Sequence, residues 1–148
     1  MKLKGASRRD MLAAALAVTL LPAARAAEPA LQEAIRAWAG SATPRDGRVQ
    51  FDISPLVDNG NVVPLTISVQ SPMTPADHVR EIVVFNESNP QRDVIRATLS
   101  PLSGRAELST RMRLATSQHL VALARMSDGS VWQHQVDVVV TLAACVEG

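Results

Sequence analysis

Apolar and polar residues alternate along most of the chain after residue 48. In segments 49–53 and 65–69 every second residue is apolar, which is the period of a β-strand with one buried face. Further strands are predicted over residues 79–85, 94–99, 106–114, 120–126 and 131–142. Turn sequences such as Asp58-Asn59-Gly60-Asn61 and Ser127-Asp128-Gly129-Ser130 separate them. About seven short strands without helical patterns between them predict an all-β, immunoglobulin-like antiparallel sandwich.

A helical pattern precedes these strands. Leu31, Ile35 and Trp38 recur at the spacing of one helix face. Pro29 suits the first turn of a helix and Gly40 its end. We therefore expect a short N-terminal helix whose apolar stripe packs on the sandwich.

The last predicted strand is the most apolar. Val136, Val138, Val140 and Leu142 share one face, and Val139 points to the other. Apolar side chains on both faces mean that the domain covers both, or that another chain covers one.

Residues 1–26 have the pattern of a cleavable export signal. A basic start precedes an apolar run over residues 11–21 and the cleavage-like Ala24-Arg25-Ala26. The run is shorter than the ~20 residues that a membrane-spanning helix needs. The Arg8-Arg9 pair resembles the twin-arginine signal, which implies export of a folded chain to the periplasm. Export in folded form favours a cofactor or a partner subunit, and since we find no cofactor motif, we expect a partner.

Removal of this segment changes the charge balance. The remaining 122 residues carry ten basic and thirteen acidic side chains, a net charge of about −3. Neither a nucleic-acid partner nor a membrane is therefore expected. The predicted organisation is a helix with a linker (27–48), one sandwich domain (49–142) and a flexible tail (143–148).

Cys145 is the single cysteine of the chain and lies in the tail. One cysteine cannot form an intramolecular disulfide, so after export the thiol stays free, is modified or pairs with another molecule. A residue this near a chain end is usually exposed. Its position indicates an exposed chemical handle, and the alternative is a chance terminal residue.

Classical catalysis and metal binding are not predicted. His78, His119 and His134 fall on different predicted elements, without the spacing of metal ligands. Cys145 has no neighbouring base, and Glu147 would oppose thiolate formation. We expect no catalytic residue, no metal and no cofactor.

Several segments together resemble the SoxY family, the sulfur-carrying subunits of the bacterial thiosulfate-oxidising (Sox) system. They are Asp58-Asn59-Gly60-Asn61-Val62-Val63-Pro64, Ser71-Pro72-Met73-Thr74-Pro75, Asn89-Pro90, Pro101-Leu102-Ser103-Gly104-Arg105-Ala106, Ser109-Thr110-Arg111-Met112-Arg113-Leu114-Ala115, Met126-Ser127-Asp128-Gly129-Ser130 and the terminal cysteine. The resemblance implies a heterodimer with SoxZ and a Cys145 that holds thiosulfate-derived intermediates covalently. It also implies transient docking to a Sox cytochrome, a hydrolase and a sulfane dehydrogenase, with no catalysis by the carrier itself.

The tail departs from the family pattern. The family typically ends in Gly-Gly-Cys-Gly-Gly, whereas this chain has Ala143, Ala144, Val146, Glu147 and Gly148 around the cysteine. Glycine reaches conformations that larger residues cannot, so these five residues set the flexibility of the tail. Two alternatives to a carrier stay open. One is a partner-binding subunit whose altered tail no longer serves the thiosulfate cycle, and the other is a thiol-dependent enzyme.

Overall fold

The computed structural model describes residues 24–142, with side chains from residue 28 onward. Its one described helix, α1, spans Ala24–Ala39, and Gly40 ends it with a φ of 66° and an N–H bonded to the Arg36 carbonyl. The strands in the described chain are β1 (Arg45–Asp46), β2 (Val49–Ile53), β3 (Leu56–Asn59), β4 (Val63–Val69), β5 (Val79–Asn86), β6 (Asp93–Thr98), β7 (Glu107–Met112), β8 (Gln118–Met126) and β9 (Val131–Leu142). A 3-10 turn covers Pro101–Ser103.

The strands form two sheets that pack face to face. The larger has the order β1-β9-β8-β5-β6, with β3 also paired to β9, and the smaller has the order β2-β4-β7. Neighbours within these sheets are antiparallel except β1 and β3, which both run parallel to β9. The architecture is the predicted immunoglobulin-like sandwich.

The core lies between the sheets, and a second apolar cluster lies under the helix. In β4, Val63, Leu65, Ile67 and Val69 are buried and point to the larger sheet, as their alternation predicts. In β5 and β8 nearly every residue is buried, because α1 covers the outer face of these strands. Leu31 and Ile35 of the helix are fully or almost fully buried there.

The sequence pattern missed two strands. The described residues contain nine strands rather than about seven, and the additional ones are β1 and β3. Both are short and mostly exposed, so neither has an alternating apolar pattern. Their partner β9 lies more than 80 residues further along the chain, a distance at which local sequence carries little information about pairing.

Trp132 closes the core beside β1. Its ring lies under the guanidinium groups of Arg45 and Arg48, which are 4.5 and 5.3 Å from the ring centroid. Gly47 approaches the same ring so closely that a Cβ atom there would lie 3.3 Å from Trp132 Cζ3.

The turn from β8 to β9 is fixed by Ser130, whose side-chain and backbone hydrogen bonds hold the pKa of Asp128 below its ordinary value. No helix in the part of the chain described is long and apolar enough to cross a membrane.

Candidate carrier site at the end of the last strand

The last four residues of β9 are supported by β3 rather than by β8. Pairing with β8 ends where Val138 lies opposite Gln118. Beyond that point Leu56 lies opposite Val139 and Asn59 opposite Leu142. We call β9 residues 139–142, together with the groups that bind them, the arm root, because the segment that carries Cys145 follows directly.

Backbone hydrogen bonds fix both ends of the arm root. The Val139 N–H donates to the Pro55 carbonyl at 2.9 Å, and the Gly60 N–H donates to the Leu142 carbonyl at 2.8 Å. Both bonds join β9 to the segment around β3, so this segment fixes the position of Leu142, the last described residue.

Two hydroxyl groups complete the arm root. Ser117, which precedes β8, accepts a hydrogen bond from the Val140 N–H at 2.8 Å. Its side chain thus provides a partner where the β8 ladder has ended. Thr141 donates from Oγ1 to the Asp58 carbonyl at 3.0 Å, which ties β9 to β3 a second time.

Three loops meet behind the arm root. The Gly60 carbonyl accepts a 2.8 Å hydrogen bond from the Leu114 N–H, which joins the β3–β4 and β7–β8 connections. Asn89, in the β5–β6 connection, donates to the Arg113 carbonyl and accepts from the Ala115 N–H. Its Oδ1 also accepts from buried Gln118 at 2.8 Å. Buried amide side chains with several partners hold loops in one arrangement.

The outer face beside the arm root is apolar and uncovered. Leu56 and Val139 lie directly opposite each other in the parallel pair, and 58% and 53% of their surfaces are exposed. Leu142 at the end of β9 and Val62 in the β3–β4 connection are exposed as well. Within the described chain the helix covers this sheet only further along, over Val121 and Leu123 of β8. For the apolar strand β9 the sequence allowed two possibilities: this domain covers both faces, or another chain covers one. In the described chain one face is open at Val139.

The predicted site residues themselves fall outside the described residues. These are Cys145 and its neighbours Ala143, Ala144, Val146, Glu147 and Gly148. Residues 1–23 of the predicted export signal also lie outside the described residues.

The three histidines lie inside the described range and are separate from one another. His134 Nδ1 accepts from the Phe51 N–H and joins the two sheets, and His78 Nδ1 contacts the Thr74 carbonyl. His119 Nδ1 contacts Asp137 at 2.7 Å. Among residues 24–142 there is no group of three or more side chains that could hold a metal ion.

Sequence reasoning identified the loop segments singly but missed that they meet. The sequence predicts a turn at residues 58–61 and a strand over 106–114, and Asn89-Pro90 enters only as part of the family resemblance. The structure brings Gly60, Asn89 and Leu114 together behind the arm root. The only signal for this in the sequence is the presence of polar residues such as Asn59 and Asn89, whose side chains bind backbone groups in loops.

The described residues thus define an immunoglobulin-like sandwich that positions the start of a C-terminal segment with a single thiol. A family model described as "Sulfur oxidation protein SoxY" matches residues 35–145, a range that includes Cys145. The chain belongs to the SoxY family. A search of curated protein sequences finds no match to the chain.

Solved structures are similar to this chain to different degrees. The sulfur carrier protein SoxY from Chlorobium limicola f thiosulfatophilum is similar with a TM-score of 0.64 and 26% identity, over 78% of this chain and 99% of that one. Superoxide reductase (neelaredoxin) from Ignicoccus hospitalis has a TM-score of 0.56 and 17% identity, over 64% and 80% of the two chains. Superoxide reductase from Nanoarchaeum equitans has a TM-score of 0.55 and 12% identity, over 65% of this chain and 100% of that one. At these identities the two reductases share only the fold with this chain.

Proposed function

We propose that this protein is a periplasmic sulfur carrier that holds thiosulfate-derived intermediates on Cys145 and presents them to partner enzymes. The observation that carries the proposal is the SoxY family match, which extends through the only thiol of the chain. The carrier forms covalent adducts but catalyses no step of their conversion.

The chemistry requires one accessible thiol and separate catalysts. The Cys145 sulfur and the outer sulfur of thiosulfate form an S–S bond with loss of the thiol proton and two electrons, which a partner cytochrome accepts. A hydrolase then adds water to the terminal sulfonate, so that sulfate leaves and a persulfide remains on Cys145. A dehydrogenase oxidises this remaining sulfur further.

The arm root supports this role by geometry. Hydrogen bonds from Gly60 and Thr141 hold the last described residues of β9 to β3. Cys145 is the third residue after Leu142, which gives a reach of ~10 Å for an extended chain. A thiol on such an arm enters the active site of another protein while the sandwich stays outside.

A SoxZ-like subunit is the expected stable partner, and we place its contact at the apolar outer face around Leu56 and Val139. These side chains are more than half exposed and lie on neighbouring strands. Obligate interfaces bury surfaces of this type. The cytochrome, hydrolase and dehydrogenase dock transiently at the arm.

The Arg8-Arg9 pair and the apolar run behind it support export by a twin-arginine route. Replacement of both arginines by lysine should leave the precursor in the cytoplasm, and cell fractionation measures this. Correct export of the double variant would contradict a twin-arginine route.

The carrier function is tested by intact mass measurement. The protein is incubated with thiosulfate and the purified oxidising cytochrome, and a thiosulfate adduct is expected that Cys145→Ser lacks. A wild-type thiol that stays unmodified while a bona fide SoxY is modified in the same preparation overturns the proposal.

The second candidate is a partner-binding subunit, which the non-glycine tail favours. In that case the SoxZ-like partner still binds, and Cys145→Ser leaves thiosulfate oxidation by the reconstituted system unchanged. A thiol-dependent enzyme instead needs an activated Cys145, so a measured pKa near the ordinary ~8.5 excludes it.

A further inference from the structure

A groove lies on the outer face of the larger sheet, between α1 and the edge strand β6. Its volume is about 540 Å³. The polar side chains that line it are Trp38, Glu81, Arg92, Asp93, Arg96 and Arg125. It lies away from the arm root, at the part of the sheet that the helix covers.

The buried N–H donors that lack a hydrogen-bond partner in the described chain all belong to residues that line this groove. Among the described residues, three buried side-chain polar atoms have no hydrogen-bond partner: Trp38 Nε1, Arg92 Nη1 and Arg125 Nε. All three belong to side chains that line the groove, and all three are N–H donors. Native proteins leave few such groups unpaired, so their concentration at one place needs a cause.

The neighbouring carboxylates leave these donors unsatisfied. Glu81 contacts Arg96 at 3.3 Å, but its distance of 3.9 Å from Arg125 Nε is too long for a hydrogen bond. The Asp93 carboxylate forms an ion pair with Arg96, at 3.3 Å. Three guanidinium groups against two carboxylates leave the groove with a net positive charge.

The donors are held in place by packing. The Arg125 guanidinium lies 4.4 Å from the centroid of the Trp38 ring and donates to the Trp38 carbonyl. The Trp38 ring in turn packs edge-on against Phe85, with centroids 6.5 Å apart. Donors held before the ligand arrives lose little conformational freedom on binding.

From these contacts we infer that the groove binds a tetrahedral oxyanion of the sulfate type. Such an anion has only acceptors and accepts from several N–H groups at once, and guanidinium groups with an indole N–H match it. This inference does not depend on the chemistry of Cys145.

The two tryptophans provide an internal comparison. Trp38 and Trp132 are the only tryptophans of the chain, so a proton–nitrogen NMR spectrum contains two indole signals. The Trp132 indole already donates to Ser130 Oγ, and two other arginines lie over its ring. A general effect of anions on arginine-flanked indoles therefore moves both signals, whereas a site in the groove moves that of Trp38.

The experiment is a titration of the full Cys145→Ser chain with sodium sulfate and, separately, sodium thiosulfate, against sodium chloride at equal ionic strength. The Trp38 indole signal is expected to shift with saturation in both oxyanions and to stay in place in chloride, while the Trp132 signal stays in place throughout. Arg92→Gln should weaken binding at least tenfold. Arg105→Gln, which removes an exposed arginine outside the groove, should leave binding unchanged.

Three results would overturn the inference. They are an unmoved Trp38 signal, parallel movement of both indole signals, and equal weakening by Arg92→Gln and Arg105→Gln. If Arg92→Gln does not fold, Trp38→Phe takes its place in the comparison with Arg105→Gln. Because this variant has no Trp38 indole signal, anion binding is then monitored by the backbone amide signals of β6. The mass test on Cys145 is a separate measurement, so failure of either proposal leaves the other standing.

Discussion

The Gly60 N–H donates a 2.8 Å hydrogen bond to the Leu142 carbonyl. These residues are 82 positions apart in the sequence, and the bond joins the loop after β3 to the last described residue of β9. Because the cysteine-bearing segment starts at the next residue, the loop sets the origin of the carrier arm. Under the proposed function, movement of that origin would change what the Cys145 thiol reaches.

The first prediction concerns the hydroxyl groups of the arm root. Thr141→Val and Ser117→Ala each remove a hydroxyl that makes hydrogen bonds at the β9 end, while nearly keeping side-chain size. Each should lower the free energy of unfolding by about 0.5–1 kcal/mol, and faster amide exchange should be confined to residues 139–142. Urea unfolding and hydrogen exchange measure these effects. Ser109→Ala, which removes an exposed hydroxyl on β7, is the control, and equal exchange at 139–142 in all three variants would contradict the prediction.

The second prediction concerns the partner surface. Leu56→Asp places a charge on the exposed apolar face opposite Val139, where desolvation of the carboxylate opposes association. The dissociation constant for a SoxZ-like subunit should rise at least tenfold, equivalent to about 1.4 kcal/mol, without loss of monomer stability. Calorimetric titration measures the constant. Leu102→Asp is the control, because Leu102 is 97% exposed in the 3-10 turn, and an equal effect of both variants would rule out a specific contact at Leu56.

The third prediction concerns the tail. Replacement of Ala143, Ala144, Val146 and Glu147 by glycine should increase the rate at which partner enzymes process the Cys145 adduct, because glycine opens conformations closed to the native residues. Glu147→Gln removes the charge of the tail but keeps the size of the side chain, so it separates the effect of charge from that of flexibility. In bulk water the repulsion between Glu147 and a sulfonate is ~1 kcal/mol or less at ~4 Å, so this variant alone should give the smaller gain. Stopped-flow or quenched mass measurements follow the rate, and unchanged rates in both variants would refute a tail effect.

The fourth prediction concerns Gly47. Its φ of 135° is unfavourable for other residues, and a Cβ there would press on Trp132. Gly47→Ala should therefore destabilise the fold by about 1–3 kcal/mol and change the fluorescence of Trp132. Gly129 has a φ of 85°, and a Cβ added there would meet no atom within 4 Å. Gly129→Ala should therefore lower the free energy of unfolding through backbone strain alone, by about 1–2 kcal/mol. A smaller loss for Gly47→Ala than for Gly129→Ala would show that the contact with Trp132 is unimportant.

Local pattern sufficed for much of the fold. Val49 and Phe51 in β2 and Leu65 and Ile67 in β4 are buried, because a strand with one covered face must alternate. Residues 120–126 form a strand as their apolar run predicts, and in β8 both faces are covered because α1 packs on the outer one. These features depend only on which side of an element meets water.

The support of the arm root was not predictable in this way. β3 is held by backbone pairing to β9 and by contacts such as Thr141 to Asp58, and three of its four residues are exposed. Backbone pairing between distant segments leaves no period in either sequence. The sequence therefore pointed to Cys145 as the chemical group, while the groups that hold its base became visible only in three dimensions.

The position of β9 has a consequence for biosynthesis. This strand lies inside its sheet, between β8 and the parallel strands β1 and β3, yet it is synthesised after every other described strand. While the ribosome is still making residues 131–142, the nascent chain therefore exposes unpaired edges on β1, β3 and β8. Closure of the sheet is a late, non-local event, so chaperone capture before it would delay maturation of the carrier.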